Sequence, residues 1–403
     1  MIRRLVFWAS TALVGFTYFG APLVILARGA LRPRPVRAAP GEPAVSVVIA
    51  ARNEAASIGA RLANLAAVEY PPECLEVVVA SDGSEDDTVA IARSADLGER
   101  RFLVLDLDRV GKADALNAAV AETTGEIVVF TDANTAFAPD AIRALVAPFA
   151  DPEVGGVAGN QVYTRGDGAP DARGERSYWN FDRLMKRAES AAGSTVSATG
   201  AIYALRREVV PRILAGVTDD FFTSTAVIAA GRRLVFAEDA VAYEPPAESG
   251  GKEYGRKVRI ISRGFRGVLA RRELLDPRRT GFYAFQLGWH KVLRRLMAVP
   301  VIAIGATSLS LARSSGFFRL LATVQAAAYG LAATGLVAPA SRVGRSRPAA
   351  LAAFFVLVNT ASLHAAVNVL RGHRIERWDP ARPAGTAGQP PAAPRDVVGE
   401  ATR

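Results

Sequence analysis

The chain has 403 residues, half of them hydrophobic, and a mean hydropathy of +0.17, which is apolar for a soluble protein and predicts membrane-spanning segments. Its one cysteine, Cys74, excludes an intrachain disulfide, and three scattered histidines argue against a histidine-rich metal site. The net charge of +10 is concentrated in residues 256–295, which hold twelve Lys or Arg and two acids. Because this block precedes an apolar run, we expect membrane lipids with anionic headgroups, and no nucleic acid, as its partner.

Residues 5–27 form an uncharged apolar run that is long enough to span a bilayer. A cleaved signal peptide is the alternative, since Arg3 and Arg4 form a basic leader. The length of the run and the lack of a small-x-small cleavage site favour a transmembrane anchor over residues 1–30. Four arginines follow the run and outnumber the two before it, so the positive-inside rule places the next domain in the cytoplasm.

A Pro-rich linker over residues 31–43 leads into residues 44–250, where short β-rich runs alternate with helix-like stretches. This alternation predicts an α/β domain with a mostly parallel sheet flanked by helices. The predicted strands are 45–50, 75–80, 102–105 and 127–131, and the predicted helices are 56–67, 86–94, 112–122 and 139–149.

The C-terminal part begins with a basic segment over residues 251–295, which we expect at the membrane interface. Three apolar runs follow, and they predict three transmembrane helices within residues 296–372. The runs are 296–312, 320–340 and 349–370. The tail over residues 373–403 is rich in Pro, Ala and Gly and is predicted to be disordered. Four spans place this tail outside the cell, whereas Arg371, Arg374 and Arg377 favour the inside, so its side stays open.

Polar motifs follow three of the predicted strands. Arg52-Asn53-Glu54 comes after the first strand, Asp82 after the second, and Asp132-Ala133-Asn134 after the fourth. Each motif taken alone also fits an ordinary turn, and Gly111-Lys112 fits the start of an exposed helix. Because ligands bind beyond the carboxyl ends of parallel strands, the shared edge of these motifs favours a binding site.

These motifs, in this order, resemble the inverting glycosyltransferases of family 2 with the GT-A nucleotide-sugar fold. That group includes the membrane-bound cellulose, chitin, hyaluronan and poly-N-acetylglucosamine synthases. The resemblance covers about residues 44–300. The segments that carry it are Arg52-Asn53-Glu54, Ser81-Asp82-Gly83-Ser84, Gly111-Lys112-Ala113, Thr131-Asp132-Ala133-Asn134, Ala198-Thr199-Gly200-Ala201 and Thr218-Asp219-Asp220.

The resemblance implies a nucleotide-sugar donor and a divalent cation, Mg²⁺ or Mn²⁺, bound to its diphosphate. The cation would be held by Asp132 and Asn134, and hard oxygen ligands suit both metals. The donor would be held by Arg52, Asn53, Glu54, Asp82, Lys112 and Gly200. Asn134 departs from the family pattern, which usually has a second acid at this position, and it offers the cation less charge.

The resemblance also implies that Asp220 is the general base that deprotonates the acceptor hydroxyl. Its neighbour Asp219 is the second candidate, and both residues would instead cap a helix if one begins here. Processive members of the family carry a Gln-x-x-Arg-Trp motif. The corresponding region here has Arg256 and Arg259 but no tryptophan, and we expect these arginines to contact the diphosphate or the membrane surface.

The predicted function is therefore sugar transfer from a nucleotide sugar, expected to be a UDP-sugar, to a polysaccharide or lipid-linked acceptor at the cell membrane. Two alternatives stay open: transfer of a single sugar to a polyprenyl or glycolipid acceptor, and a non-catalytic envelope protein that binds nucleotide sugars. No Gly-x-Gly-x-x-Gly follows the first strand, which argues against a nicotinamide enzyme. A P-loop ATPase is disfavoured because Gly111-Lys112 lacks the upstream glycine.

Overall fold

The computed structural model describes residues 1–163, 172–244 and 253–373. The described chain divides into two compact units. One unit contains residues 1–27 together with residues 253–373, and the other contains residues 28–163 and 172–244. The tail predicted to be disordered lies outside the described residues apart from His373.

The N-terminal apolar run is helical from Ile2 to Leu31. It consists of α1 (Ile2–Gly15), a π-helical turn (Phe16–Gly20) and α2 (Ala21–Leu31). At about 1.5 Å per residue its length exceeds the ~30 Å hydrocarbon core of a bilayer. The indole of Trp289 donates a hydrogen bond of 2.8 Å to the carbonyl of Thr17 inside the turn. The N-terminal helix is thus fixed to later residues of its own unit.

The second unit is built on an eight-stranded sheet with the strand order β3-β2-β1-β4-β7-β6-β8-β5. Strands β1 to β4 pair in parallel, as do β6 and β8, whereas β7 is antiparallel to both of its neighbours and β5 is antiparallel to β8. The sheet confirms the predicted α/β class. Its strands are β1 (Val45–Ala51), β2 (Leu75–Asp82), β3 (Phe102–Leu107), β4 (Ile127–Asp132), β5 (Ala136–Phe137), β6 (Val154–Tyr163), β7 (Tyr203–Arg206) and β8 (Arg233–Glu244).

Strands β1 and β2 are buried along their whole length, as expected for central strands covered on both faces. The apolar residues of helix α3 recur at a helical period. Ile58, Leu62 and Leu65 are one and two turns apart and pack as one buried stripe, which favours a helix here. The helices of this unit are α3 (Ala55–Ala66), α4 (Thr88–Ser94), α5 (Lys112–Ala121), α6 (Ala141–Val146), α7 (Ala172–Ala192) and α8 (Asp219–Ala229). Three-residue or four-residue 3₁₀ turns occupy Pro72–Cys74, Ala147–Ala150 and Arg207–Val209.

The first unit continues with the C-terminal helices. They are α9 (Glu253–Ala270), α10 (Pro277–Thr280), α11 (Phe282–Leu287), α12 (Ala298–Leu311), α13 (Gly316–Val337) and α14 (Arg347–Leu370). A 3₁₀ turn (Arg272–Leu275) precedes α10, and α11 continues through a π-helical turn (Gly288–Val292) and a 3₁₀ turn (Leu293–Leu296). The basic helix α9 packs along α14, where Tyr254 Oη lies 3.1 Å from His364 Nδ1.

Within the described residues, three helices are long and apolar enough to cross a membrane: Ile2–Leu31, α13 and α14. The run predicted at 296–312 forms α12, which has 14 residues and is too short to qualify alone. Together with residues 282–296 it makes a fourth candidate span that is bent by 46°. A hydrogen bond of 3.1 Å from Gln325 Nε2 to Ser308 Oγ joins α12 to α13 and satisfies two polar groups among apolar residues.

Candidate active site

The polar motifs converge at the carboxyl edge of the sheet. The register pairs Ala51 of β1 with Ser81 of β2, and Ala50 of β1 with Asp132 of β4. The three strands therefore end side by side, and the residues that follow them share one crevice. Because β7 is antiparallel to both β4 and β6, the carboxyl ends of β6 and β8 lie at this same edge.

Hydrogen bonds of the segment Arg52-Asn53-Glu54 join the loop after β1 to the loop after β2. Asn53 has a positive φ of 52°, and its Oδ1 accepts a hydrogen bond of 2.9 Å from the amide of Glu85. Its own amide donates to Ser84 Oγ at 3.1 Å. The amide of Glu54 donates to Thr88 Oγ1 at 2.8 Å. Arg52 is buried beside them, with a guanidinium nitrogen 3.9 Å from Glu85 Oε1.

Asp82 is fully buried at the end of β2 and fixes the loop before α5. Its Oδ1 accepts hydrogen bonds from the amides of Val110 at 2.8 Å and Gly111 at 2.7 Å. Gly111 has a φ of 92°, which favours glycine at this position. Asp82 Oδ2 is also buried and has no hydrogen-bond partner among the described residues, so this carboxylate oxygen is left unsatisfied.

Lys112, the first residue of α5, joins two carboxylates of the crevice. Its Nζ lies 3.0 Å from Asp132 Oδ1 and 2.9 Å from Asp219 Oδ2. Burial by itself would lower the pKa of Lys112, but the charges of Asp132 and Asp219 outweigh it and raise the pKa above its ordinary value. Lys112 is therefore a permanent cation at the centre of the site.

A glycine leaves one carboxylate oxygen of Asp132 open, and a buried arginine supplies positive charge near the same carboxylate. A Cβ at Gly200 would lie 3.0 Å from Asp132 Oδ2, so glycine keeps this oxygen accessible. Arg61 of α3 is buried beneath and donates to Thr131 Oγ1 at 3.1 Å. Burial lowers the pKa of Arg61 to about 9, against the opposing charge of Asp132.

Asp219 and Asp220 are the first two residues of α8, where the helix dipole favours negative charge. Asp220 Oδ1 accepts a hydrogen bond of 2.6 Å from the amide of Phe221. Tyr203 of β7 is buried next to both carboxylates. Burial raises the pKa of Tyr203, and the charges of Asp219 and Asp220 raise it further, so its hydroxyl stays protonated.

The side chain of Asn134 lies beside a carboxylate that the sequence motifs did not include. Asn134 Nδ2 is 3.5 Å from Oε1 of Glu244, the last residue of β8. No three His, Cys, Asp or Glu side chains within the described parts of the chain are arranged to hold a metal ion. The chemistry of Asp132 and Asn134 nonetheless fits a hard cation, since both carry oxygen donors and Gly200 leaves Asp132 Oδ2 open.

The structure thus gathers Asp132, Lys112, Asp219 and Gly200 in direct contact, with Asp82, Asp220 and Asn134 on the same sheet edge. Arg52, Asn53 and Glu54 form one wall of that edge. Arg256 and Arg259 lie on α9 in the other unit, and their predicted contact with a diphosphate stays a prediction.

Sequence reasoning missed Arg61, Tyr203 and Glu244. Arg61 could have been noticed, because it follows Ile58 by three residues and precedes Leu65 by four, which puts a charge on a buried helical stripe. Tyr203 and Glu244 carry no such signal. They reach the crevice only through the pairing of β7 and β8 with strands distant in sequence.

Comparison with known proteins agrees with this geometry. A family model described as "Glycosyltransferase like family 2" matches residues 43–277. An N-acetylglucosaminyltransferase of Rhizobium meliloti is 29% identical over 215 residues, which are 49% of this chain and 50% of that protein. A poly-beta-1,6-N-acetyl-D-glucosamine synthase of Staphylococcus epidermidis is 26% identical over 205 residues, which are 50% of this chain and 48% of that protein. The chain thus spans about half the length of the curated relatives it matches.

One solved structure is similar over most of the chain. It is the mannosyltransferase PcManGT from Pyrobaculum calidifontis in complex with GDP-Man and Mn²⁺. The match covers 92% of this chain and 100% of that one, with 26% sequence identity and a TM-score of 0.69. The structural similarity extends beyond the residues matched by the family model. The similar mannosyltransferase is the protein that carries a bound nucleotide sugar, GDP-Man.

Proposed function

The chain belongs to the glycosyltransferase-like family 2, and on this premise we propose that it transfers a sugar, with inversion, from a nucleotide-sugar donor to an acceptor hydroxyl at a membrane. The contact that carries this proposal is the double ion pair of Lys112 with Asp132 and Asp219. One ammonium group thus contacts Asp132, proposed to lie on the donor side, and Asp219, the first residue of the acidic pair of α8. Donor activation and proton removal then take place in the same crevice.

The nucleotide is held at the carboxyl ends of β1 and β2. Asp82 Oδ2 accepts a hydrogen bond from the base, because this buried oxygen is the one not used by the loop amides. The wall formed by Arg52, Asn53 and Glu54 packs against the base and ribose. Lys112 supplies positive charge to the diphosphate, whose negative charge grows as the sugar leaves.

A divalent cation, Mn²⁺ or Mg²⁺, would be held by Asp132 and the amide oxygen of Asn134. When bound it acts as a Lewis acid on the leaving diphosphate. The Mn²⁺ in the similar mannosyltransferase supports this proposal. Asp132 is poised for such a role, because Lys112 engages only its Oδ1 and the Gly200 side leaves Oδ2 open.

Asp220 accepts the proton of the acceptor hydroxyl. Its neighbour Asp219 is engaged by the Lys112 ammonium, which makes that carboxylate a poorer base. The proton passes to the Asp220 carboxylate only as the hydroxyl attacks. Inversion follows if the hydroxyl attacks the sugar carbon on the face opposite the diphosphate.

The acceptor is either a growing glycan or a lipid. The similarity to a poly-beta-1,6-N-acetyl-D-glucosamine synthase supports a glycan acceptor. The missing tryptophan in the region of Arg256 and Arg259 favours the second candidate, transfer of one sugar to a polyprenyl or glycolipid acceptor. The apolar helices support an acceptor presented at the cell membrane, with the catalytic unit on the cytoplasmic side.

The test is a transfer assay on the detergent-solubilised chain with UDP-GlcNAc, UDP-glucose and GDP-mannose, each with membrane lipid extract as acceptor. We expect one donor to be consumed in Mn²⁺ or Mg²⁺, and Asp220→Asn to abolish transfer while the exposed Asp239→Asn leaves it unchanged. The size of the product separates a polymer from a single glycolipid. Binding of a donor without any turnover would instead support the non-catalytic alternative and contradict the proposal.

A further inference from the structure

Position 134 holds an asparagine, so the motif after β4 contributes only one carboxylate, Asp132, to a cation site. A second carboxylate is nevertheless present in space. Asn134 Nδ2 lies 3.5 Å from Glu244 Oε1, although 110 residues separate the two positions. The charge that the motif lacks in sequence is therefore supplied beside it by a distant strand.

The sheet topology fixes this neighbourhood. Strand β5 begins two residues after Asn134 and pairs antiparallel with the end of β8, with Ala136 opposite Tyr243. Strand β8 ends with Glu244, which pairs with Tyr163 of β6. Strands β6 and β8 both end at the carboxyl edge of the sheet, where Asp132 is the last residue of β4. Strand register thus brings the backbone of Glu244 close to the turn that contains Asn134.

The carboxylate of Glu244 is also oriented by its neighbours. Gln161 Nε2 donates a hydrogen bond to Glu244 Oε2 and a second one of 2.9 Å to Tyr163 Oη. Such outer hydrogen bonds are typical of carboxylates that bind metals, because they set the direction of the ligand oxygen. Asn134 Nδ2 lies 3.5 Å from the other oxygen, Oε1, so each carboxylate oxygen of Glu244 faces a donor group.

We propose that Glu244 supplies the second carboxylate of the divalent-cation site, together with Asp132 and the amide oxygen of Asn134. This inference rests on the proposed function and deepens it. One acid and one amide give a hard cation little charge, whereas two carboxylates and an amide form an oxygen donor set of a kind that holds Mn²⁺ or Mg²⁺ with the phosphates of a substrate.

A purely structural role for Glu244 makes a different prediction. In that case Glu244 only supports the 132–135 turn, and glutamine, which keeps the shape and one of the two acceptor oxygens, leaves metal binding unchanged. If Glu244 is a ligand, its charge matters, and loss of that charge weakens metal binding even though the shape of the side chain is kept.

The experiment measures binding of Mn²⁺ alone to the full detergent-solubilised chain, from the electron paramagnetic resonance signal of free Mn²⁺. Glu244→Gln is expected to weaken the affinity at least about tenfold. The double variant Asn134→Asp with Glu244→Gln exchanges the carboxylate and the amide between the two positions. It keeps the net charge and the hydrogen bond, and we expect it to restore affinity close to that of the wild type.

Glu238→Gln is the matched control, because Glu238 lies on the same strand and pairs with Arg183 and Arg187 instead of the 132–135 turn. It should bind Mn²⁺ like the wild type. Unchanged affinity in Glu244→Gln, or failure of the exchange variant to recover it, overturns the inference. If the wild type binds no Mn²⁺ yet transfers sugar in chelator, Glu244 is not a metal ligand but the proposed function stands; loss of all transfer in every condition contradicts the function itself.

Discussion

The ammonium nitrogen of Lys112 lies 2.9 Å from Asp219 Oδ2, and the same nitrogen lies 3.0 Å from Asp132 Oδ1. One cation therefore neutralises part of the charge of two acids that lie 87 residues apart in the sequence. It also fixes the start of α8 against the end of β4. Lys112 can therefore supply positive charge to the proposed diphosphate, and it also holds Asp219 in position at the start of α8.

Replacement of Lys112 by methionine should abolish most transfer. The methionine keeps most of the length of the side chain but removes the charge, which leaves Asp132 and Asp219 to repel each other and removes a contact to the leaving group. We expect kcat to fall about 10²- to 10³-fold, in the range seen when one stabilising donor is removed from an active site. Steady-state kinetics with the accepted donor measure this loss.

Lys112→Arg is the companion variant, since it keeps the charge but changes its geometry. It should retain more activity than Lys112→Met. Equal loss in both variants would show that position matters more than charge. Wild-type activity in Lys112→Met would contradict the role given to the double ion pair.

The two adjacent acids of α8 should respond differently to removal of charge. Asp220→Asn is expected to lower kcat about 10²- to 10⁴-fold, because the acceptor hydroxyl loses its proton acceptor. Asp219→Asn should cost less, because this residue acts through Lys112. Donor binding, followed by titration of donor analogue, should stay near the wild-type value in Asp220→Asn. The opposite ranking of the two variants would assign the base to Asp219.

The space beside Asp132 should be sensitive to a single methyl group. A Cβ at Gly200 would lie 3.0 Å from Asp132 Oδ2, which is close for a carbon atom and lies on the oxygen that Lys112 does not bind. Gly200→Ala should therefore weaken donor and Mn²⁺ binding with little loss of fold. Isothermal titration of Mn²⁺ with donor measures the effect.

The control for Gly200→Ala is Gly330→Ala in α13, where an added Cβ meets no atom within 4 Å. That variant should bind donor and metal like the wild type. If Gly200→Ala also binds normally, the open face of Asp132 is not where the cation or the diphosphate lies.

The parallel half of the sheet was predictable because its strands are local features. Each of β1 to β4 is rich in apolar and β-branched residues, and each is followed by a helix or a polar turn that the chain itself marks. Asp82 and Asp132 could be placed on one edge from the rule for parallel strands alone. Their shared crevice needed no knowledge of long-range contacts.

The other half depends on pairings that no local pattern encodes. Strand β7 has four residues and enters between β4 and β6, whereas β5 has two. Such short strands are defined by their partners and carry too few residues for a period to be read. Tyr203 of β7 was missed for this reason. Glu244 ends a strand of 12 residues, and it was missed because its place at the site depends on where β8 inserts in the sheet.

The opposite edge of the sheet holds a buried carboxylate that should govern acid stability. Glu76 of β2 lies opposite Ser46 of β1 and is 5% exposed. Burial alone would raise the pKa of Glu76, but hydrogen bonds from Ser46, Thr124 and Arg101 together lower it to about 2, from an ordinary value of 4.5. The group binds its proton less readily in the folded chain than in the unfolded one.

The sign of the pH effect follows from that difference. The ionised carboxylate stabilises the folded state fully above the unfolded pKa of about 4.5, and this contribution is lost as the pH falls toward 2. We expect it to amount to about 2 kcal/mol, because solvent around the half-exposed Arg101 screens part of the interaction. Glu76→Gln should therefore lower the Tm by about 4–8 °C at pH 7, at about 2–4 °C per kcal/mol for a domain of this size.

Thermal unfolding followed by far-UV circular dichroism between pH 7 and pH 3 measures this contribution. The Tm difference between wild type and Glu76→Gln should be constant above about pH 5 and should narrow as the pH falls below the unfolded pKa. The exposed Glu99→Gln is the control and should leave the Tm unchanged at every pH. A Tm difference that stays constant down to pH 3 would show that Glu76 contributes through shape and hydrogen bonding, and that its charge adds nothing to the stability of the sheet.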